Sequence, residues 1–376
     1  MKAAFFTDTY LPHTDGVVRG IVGLRSALQS RGNIVLVFAP KAPSSLPLPQ
    51  KNHFYFRSLP LPSYPQYRAA IFPFAAIKAI KAQKVQLVHS HSPATMGLAA
   101  LHAAKENRLP SVFSFHTFFS SATHYVLPTA QLQNAAGRAL WHYVSAYASQ
   151  FDATTVPSNF AKKALQAHSI HSIVFPLGID THKFSPHKKD EKLLCSFGIP
   201  RGAKTILSLG RIAQEKNLEV LLHAAPLLKK EHPEAYILIA GKGPHLQALR
   251  KKASSLGITS FVKFAGFVPE KKIVPLYCSA DAFAFPSLFE TQGLAAIESL
   301  ACATPAVGAK NSACEDIIKN NSNGILCGAN AEEFASSLSR VLDSPQKYRA
   351  AARKSSLRFD VSKRADAMLS LYKKLL

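Results

Sequence analysis

Acidic residues are scarce in this chain: 22 Asp and Glu stand against 45 Lys and Arg among 376 residues, for a net charge of +23. The shortage is concentrated at one end. Residues 1–150 hold 14 Lys and Arg and three acids (Asp8, Asp15 and Glu106), a balance of +11, and no Asp or Glu occurs from Val17 to Lys105. A surface of that sign favours anionic lipid headgroups or nucleic acid. Nucleic acid is set aside because RNP-type, helix-turn-helix and zinc-finger signatures are all missing; a basic surface that serves solubility is the plain alternative to lipid. Cysteine is sparse as well. Cys195, Cys278, Cys302, Cys314 and Cys327 are odd in number, scattered and without CxxC spacing, which excludes a disulfide framework or zinc site and suggests a reducing compartment. The apolar run in Met1-Lys2-Ala3-Ala4-Phe5-Phe6-Thr7-Asp8 is too short for a signal peptide. No window reaches the roughly 18 apolar residues of a membrane span. The expected setting is the cytoplasm, with peripheral attachment to the cytosolic face of a membrane.

What is present is an alternation of apolar runs and helical periodicity, the mark of parallel α/β layers. Strands are expected at 2–7, 33–39, 85–89, 111–115, 153–156 and 173–176, and helices at 17–31 and 71–84. Residues 40–67, rich in Pro and Ser, read as an irregular loop. The pattern breaks around 181–203, then resumes with strands at 204–209, 236–240, 262–265, 282–285, 305–307 and 324–327. Helices are expected at 218–229, 245–256, 293–302, 331–342, 346–359 and 362–376. Two domains follow from the length: residues 1–184 and 185–359, with the helix at 360–376 packing back on the first. Two Rossmann-like halves imply a cleft between them where ligands bind.

Chemistry-bearing residues sit at strand ends. Glu290 and Glu298 flank Thr291-Gln292-Gly293-Leu294 just after the strand at 282–285. Glu290 then lies in a loop at a carboxyl strand end, Thr291 and Gly293 lie at a helix start that can hold phosphate, and Glu298 follows about two turns on. The pair reads as a grip on a sugar nucleotide, or else as a loop glutamate and a solvent-facing helical one. Gly210-Arg211 and Lys216, in the loop after the strand at 204–209, can converge on a diphosphate, Arg by its fork and Lys as a point charge; the alternative is a solvated loop. Gly241, in Ala240-Gly241-Lys242-Gly243, marks another strand-end turn but has no third glycine at dinucleotide spacing, so it is weak evidence for a nicotinamide site. Gly16 opens the helix at 17–31, where bare N–H groups can meet phosphate. His89 and His91 end one strand and His116 another. The first two suit packing or substrate contact better than metal; His116 is a sugar-hydroxyl contact or a structural histidine.

Together these residues resemble retaining glycosyltransferases of the GT-B fold, family four. The resemblance runs through Thr7-Asp8-Thr9-Tyr10-Leu11-Pro12, His89-Ser90-His91-Ser92-Pro93, Phe115-His116-Thr117, Pro176-Leu177-Gly178-Ile179-Asp180, Gly210-Arg211 with Lys216-Asn217, and Glu290 with Glu298. The N-terminal sequence is most similar to the branch that glycosylates diacylglycerol, with phosphatidylinositol mannosyltransferases nearby. The resemblance implies an α/β GT-B architecture and transfer of a hexose from a nucleotide sugar, of UDP-glucose or GDP-mannose type, to a lipid such as diacylglycerol. A soluble sugar or sugar phosphate is the alternative acceptor, and a nucleotide-sugar epimerase the more distant alternative. It implies that Arg211 and Lys216 bind the diphosphate, Glu290 the donor sugar and Glu298 the ribose. Thr291, Gly293 and Leu294 would supply backbone contacts, Gly16 would approach the β-phosphate, and His116 would lie beside the donor sugar. No cofactor and no metal are expected, since no acidic metal motif is present. Departures are Asn311-Ser312-Ala313-Cys314 where a Gly-Gly pair is usual, Gln292 where an aromatic is common, and Phe118-Phe119-Ser120-Ser121 after the His-Thr pair.

Overall fold

The computed structural model describes the chain apart from residues 14, 44–47, 49–50, 62–63, 72, 74 and 119–128. It divides into two compact units, residues 1–178 with 361–376, and residues 179–360.

The first unit is built on β1 (Lys2–Phe6), β2 (Ile34–Pro40), β3 (His53–Phe56), β6 (Leu87–Ser90), β7 (Ser111–Ser114), β8 (Ala153–Val156) and β9 (Ile173–Val174). A hairpin of β4 (Ser58–Leu61) and β5 (Tyr64–Ala70) lies outside that sheet. The strand order is β3-β2-β1-β6-β7-β8-β9, all parallel. Its helices are α1 (Gly16–Gln29), α2 (Ala75–Ala82), α3 (Thr95–Glu106), α4 (Ala130–Ala148), α5 (Asn159–Gln166) and the last of the chain, α13 (Val361–Leu375). The strands are apolar on both faces because both are covered. Ala3 and Phe5 of β1 enter one core with α1 and α13, while Ala4 and Phe6 enter another with α2 and α3. Arg31 ties α1 to α13 through Asp366, and the Tyr372 hydroxyl of α13 bonds His89 of β6 at 2.5 Å.

The second unit repeats the plan with β10 (Lys204–Leu209), β11 (Ala235–Ala240), β12 (Val262–Gly266), β13 (Ala282–Phe285), β14 (Ala306–Ala309) and β15 (Gly324–Cys327), ordered β12-β11-β10-β13-β14-β15. Its helices are α6 (Glu191–Cys195), α7 (Glu219–Glu231), α8 (Leu246–Ser255), α9 (Glu270–Ser279), α10 (Leu294–Ala301), α11 (Ala331–Asp343) and α12 (Pro345–Ser356). Alternation again splits the strands between two cores: Phe283 and Phe285 face one, Ala282 and Ala284 the other. Chain order reverses between β10 and β13, and it is beside the carboxyl strand ends at such a switch point that open α/β sheets bind ligands.

Three expectations need correction, and some helices were not expected at all. Residues 40–67 are not one irregular loop. The aromatic run His53-Phe54-Tyr55-Phe56 pairs with β2, in register Val37↔His53, where Phe38 stacks on Phe54, and the hairpin follows. The helix expected at 71–84 is only Ala75–Ala82: Pro73 precedes it, and Lys84, at φ +52°, ends the continuation. Phe74, just ahead of it, lies outside the described residues; Ala76 and Ile80 are buried, and Lys78, Lys81 and Lys84 are exposed. The units meet in sequence at Gly178 and Ile179, ahead of the expected boundary after 184. Ile179 and Phe184 are buried in the second unit's core, and Arg353 holds the Thr181 and Phe184 carbonyls. Helices α3, α4, α5, α6 and α9 have no counterpart among the expected elements; in α4 most of the described residues are partly or fully exposed, which weakens the periodic signal.

Candidate active site

In the second unit, the pairing Ile206↔Ala282 and Leu207↔Phe283 sets the loop after β10 beside the loop after β13. Three contacts join them. Lys216 Nζ forms an ion pair with Glu290, Asn217 Nδ2 donates to the Pro286 carbonyl at 3.4 Å, and Ser287 Oγ donates to the Glu215 carbonyl at 3.2 Å. Arg211 pairs with Glu215 within its own loop. The loop closes as a single turn over Gln214–Lys216, ended by Asn217 in the left-handed region at φ +53°. Both cations expected to meet a diphosphate therefore already hold a carboxylate. The Lys216 and Glu290 side chains keep about a fifth of their surface in solvent (23% and 20%).

Gly293 starts α10 at φ +89°, and a β-carbon there would sit 3.0 Å from the Phe285 ring. Only glycine meets both conditions. Thr291 is partly exposed, Gln292 is buried, and Leu294 is the first residue of α10. Glu298 is 2% exposed, and its Oε2 accepts from the Tyr277 hydroxyl of α9 at 3.0 Å. That settles one alternative: Glu298 is not a solvent-facing helical residue. Gly241 has a structural reason of its own. A β-carbon on it would lie 1.8 Å from the Gly210 carbonyl, so the turns that end β10 and β11 touch through backbone. Gly210 donates its N–H to Ala240 O at 3.0 Å across the same contact.

Gly16 and His116 belong to the first unit. Gly16 is the first residue of α1, whose N-cap, Asp15, accepts from Val18 N at 2.8 Å. One of the bare N–H groups is thus already occupied by a carboxylate. Behind this loop Asp8, at the end of β1, accepts from Ser92 Oγ, Thr95 Oγ1 and the Met96 N–H at 2.5, 2.9 and 2.9 Å. Burial raises the Asp8 carboxyl, and the Met96 N–H and the Ser92 and Thr95 hydroxyls partly offset this.

His89, His91 and His116 form a buried column at the carboxyl ends of β6 and β7. His91 Nδ1 lies 3.1 Å from His116 Nε2, with the two rings nearly parallel at 13°. His89 and His91 have ring centroids 4.0 Å apart. His89 Nδ1 faces the Tyr372 hydroxyl and its Nε2 faces Ser114 Oγ at 2.7 Å; Ser114 Oγ in turn lies 2.6 Å from Thr155 Oγ1. Burial lowers all three imidazoles, His116 to about 4, and the first two also carry a penalty from neighbouring histidine charge. The rings are neutral near pH 7.

The structure thus gathers Gly210, Arg211, Lys216, Gly241, Glu290, Thr291, Gly293, Leu294 and Glu298 in one unit, and places Gly16 and His116 in the other. Sequence reasoning missed Tyr277, Glu215 and the bond between His91 and His116. Only the last had a signal, the two histidines at neighbouring strand ends.

Comparison with known proteins follows this geometry. A family model described as "Glycosyl transferases group 1" matches residues 190–358, and one described as "Glycosyltransferase Family 4" matches residues 14–183. The chain is similar to an alpha-monoglucosyldiacylglycerol synthase of Streptococcus pneumoniae, 29% identical over 333 residues, 87% of this chain and 75% of that protein. A GDP-mannose-dependent alpha-mannosyltransferase of Mycolicibacterium smegmatis is 27% identical over 366 residues, 95% and 93% of the two chains. Among solved structures, Anabaena HepE in complex with UDP and glucose superposes with a TM-score of 0.78 at 19% identity over 100% of both chains. Sucrose-phosphate synthase from Thermosynechococcus elongatus gives 0.77 at 19% identity over 100% and 98%. The fold is GT-B.

The neutral histidine column makes stability depend on pH. As pH falls through 6.5, the unfolded chain takes protons on its histidines while the folded rings stay neutral. Stability present above pH 6.5 is therefore lost as pH falls, in the case of His116 until its folded ring titrates at about 4. Melting temperature is expected to fall between pH 7 and 4.5, and to fall less steeply in His116→Asn, a difference in which the carboxylates cancel. Equal slopes for the two proteins would contradict the assignment.

Proposed function

The chain belongs to the family-four glycosyltransferases of GT-B fold and is a hexosyltransferase, and on that footing we propose that it moves a hexose from a nucleotide sugar to a lipid acceptor at a membrane surface. The donor is of UDP-glucose or GDP-mannose type and the acceptor is a glycerolipid such as diacylglycerol. The observation that carries the reading is the meeting of the loops after β10 and β13: Lys216 pairs with Glu290 ahead of α10, and Arg211 stands in the same loop as Lys216, paired with Glu215. The names of the relatives, a glucosyldiacylglycerol synthase and a GDP-mannose-dependent transferase, support the lipid acceptor and the donor types.

The chemistry follows from charge. A nucleoside diphosphate displaces Glu290 from Lys216, and Glu290 is then available to accept hydrogen bonds from sugar hydroxyls. Arg211, Lys216 and backbone N–H groups at α10 offset the charge that develops as the C1–O bond to phosphate breaks. The acceptor oxygen bonds C1 from the face the diphosphate leaves, its proton passes to the departing phosphate, and configuration is retained. Glu298, held by Tyr277, takes the ribose. No metal enters this scheme, in which the two cations take the electrostatic role one would have.

Among the described residues no helix is long and apolar enough to cross a membrane. Membrane contact is proposed to be peripheral, through the exposed Lys78, Lys81 and Lys84 on and after α2, each worth about 1 kcal/mol beside anionic lipid.

Arg211→Ala and Lys216→Ala are each expected to lower turnover by roughly 3 kcal/mol of barrier, about a hundredfold, with folding intact by circular dichroism. Near-normal rates in both would remove the diphosphate assignment. Transfer should continue in excess EDTA; loss restored by magnesium or manganese would refute the metal-free scheme. The functional reading itself is checked by incubating the protein with a panel of nucleotide sugars and a total lipid extract and identifying the product by mass. A glycosylated lipid is expected, as is salt-sensitive binding to vesicles of acidic lipid that weakens when Lys78, Lys81 and Lys84 become Gln. Product only on soluble sugars or sugar phosphates, or epimerised donor without acceptor, would replace the lipid reading.

A further inference from the structure

We propose that Glu215 is a positioning residue for the donor: it holds the Arg211 guanidinium in place before a diphosphate arrives, and stays paired with it afterwards. The inference deepens the reading of Arg211 as a diphosphate contact, and rests on it.

The backbone of the loop after β10 is fixed at several points. Ile212 is buried; its N–H donates to the Lys242 carbonyl at 2.9 Å, and its own carbonyl accepts from the His245 N–H at 3.1 Å. Farther on, the Lys216 N–H closes onto the Ala213 carbonyl at 3.1 Å, and Asn217 and Ser287 tie the loop to the one after β13. A fixed backbone does not fix the head of an arginine, which stands at the end of a long rotatable stem. A head that is loose before binding loses that freedom on binding, and the loss weakens affinity.

Glu215 supplies the missing restraint. The chain is extended at Ala213 and then turns through Gln214–Lys216, and this return brings Glu215 Oε1 to Arg211 Nη2. Glu215 is held in its turn, since its backbone carbonyl accepts from Ser287 Oγ at 3.2 Å. With the pair formed, the Glu215 side chain is 13% exposed while Arg211 keeps 37% of its side chain in solvent. A phosphate can therefore reach the guanidinium without displacing the carboxylate. A planar guanidinium suits the double contact because its donors point in several fixed directions, where an ammonium is a single point charge.

Glu215 thus differs from Glu290. On the proposed function Glu290, which comes from the other loop, must leave Lys216 to meet a sugar. Glu215 belongs to the same loop as Arg211 and has no second task. Two effects oppose each other at this position. A carboxylate near an incoming diphosphate repels it, and a carboxylate that fixes Arg211 favours it. The repulsion acts across solvent with a cation between the two anions, which screens it; the restraint acts through direct contact. Restraint outweighs repulsion, and the sign of a substitution at Glu215 reads the balance.

The test is the binding of UDP and of GDP to the whole protein by titration calorimetry. Glu215→Ala is expected to weaken the better-bound nucleotide about tenfold, the scale of one long side chain's lost freedom, with the circular dichroism spectrum unchanged. Glu215→Gln keeps an acceptor oxygen for Arg211 and should restore most of the lost affinity. In an Arg211→Ala background, Glu215→Ala should have no further effect, because Glu215 acts through Arg211. Tighter or unchanged binding by Glu215→Ala overturns the proposal. So does a loss of the same size in the Arg211→Ala background, which would mark a merely structural role. If Glu215→Ala does not fold, Glu215→Met, which keeps the length without the acceptor, is read in its place. Unchanged binding by Arg211→Ala would overturn instead the diphosphate reading of Arg211, and failure of the wild-type protein to bind either nucleotide would overturn the donor reading. Both are told apart from a failure at Glu215, in which Arg211→Ala still weakens binding.

Discussion

The parallel pairing of β10 with β13 is the constraint on which the second unit's chemistry depends. Its register brings the ends of two strands, distant in sequence, to the same level, and the loops that leave them must share space. Lys216 then meets Glu290, Asn217 meets the Pro286 carbonyl, and Ser287 meets the Glu215 carbonyl. None of these partners is near in sequence. A shift of one residue in that register would send Phe283 and Phe285 to the wrong core and part the three contacts together.

Magnitude says what the Lys216–Glu290 pair is for. With about a fifth of each side chain in solvent (23% and 20%), it belongs with ion pairs that contribute about 1 kcal/mol or less to stability. A contact that weak is a poor staple and a good placeholder. It keeps an ammonium and a carboxylate in position, and on the proposed function a diphosphate with more charge would take the ammonium at small cost. Glu298 is the opposite case. It is almost wholly buried and held by Tyr277, and removing that hydroxyl would leave a carboxylate oxygen short of a partner. One glutamate is free to exchange partners and the other is held in place, which suits contacts to a reacting sugar and to an unreacting ribose.

Strand positions outside residues 40–67 were legible because each unit is a doubly covered parallel sheet, and continuous apolar runs such as Ile34–Pro40 have few other uses. The strand-end candidates were legible for the same reason: once the strands are placed, Arg211, Lys216, Glu290 and Glu298 fall at carboxyl ends or just beyond them. The region 40–67 was misread because Pro and Ser dominate its composition, while the pairing that makes His53–Phe56 a strand comes from β2. Tyr277 as the partner of Glu298 left no trace, since a bond from one helix to another depends on packing rather than on any local pattern. The histidines were visible as residues but not as a column. Their contact depends on β6 and β7 being neighbours in register Ser90↔Phe113, a fact of topology.

The two units handle polar groups in different ways. In the second unit the cations and Glu290 stand partly in water, where a ligand can compete for each of them. In the first unit the histidines and Asp8 are buried, and desolvation is the largest influence on each: it keeps the imidazoles neutral and pushes the carboxyl toward its neutral form. A buried neutral ring makes a poor electrostatic trap for a diphosphate, because it carries no charge to offer. On the proposed function, charge compensation would therefore fall to groups of the second unit, which remain hydrated and exchangeable, because a ligand's charge can replace one partner there without stranding the other in a dry interior.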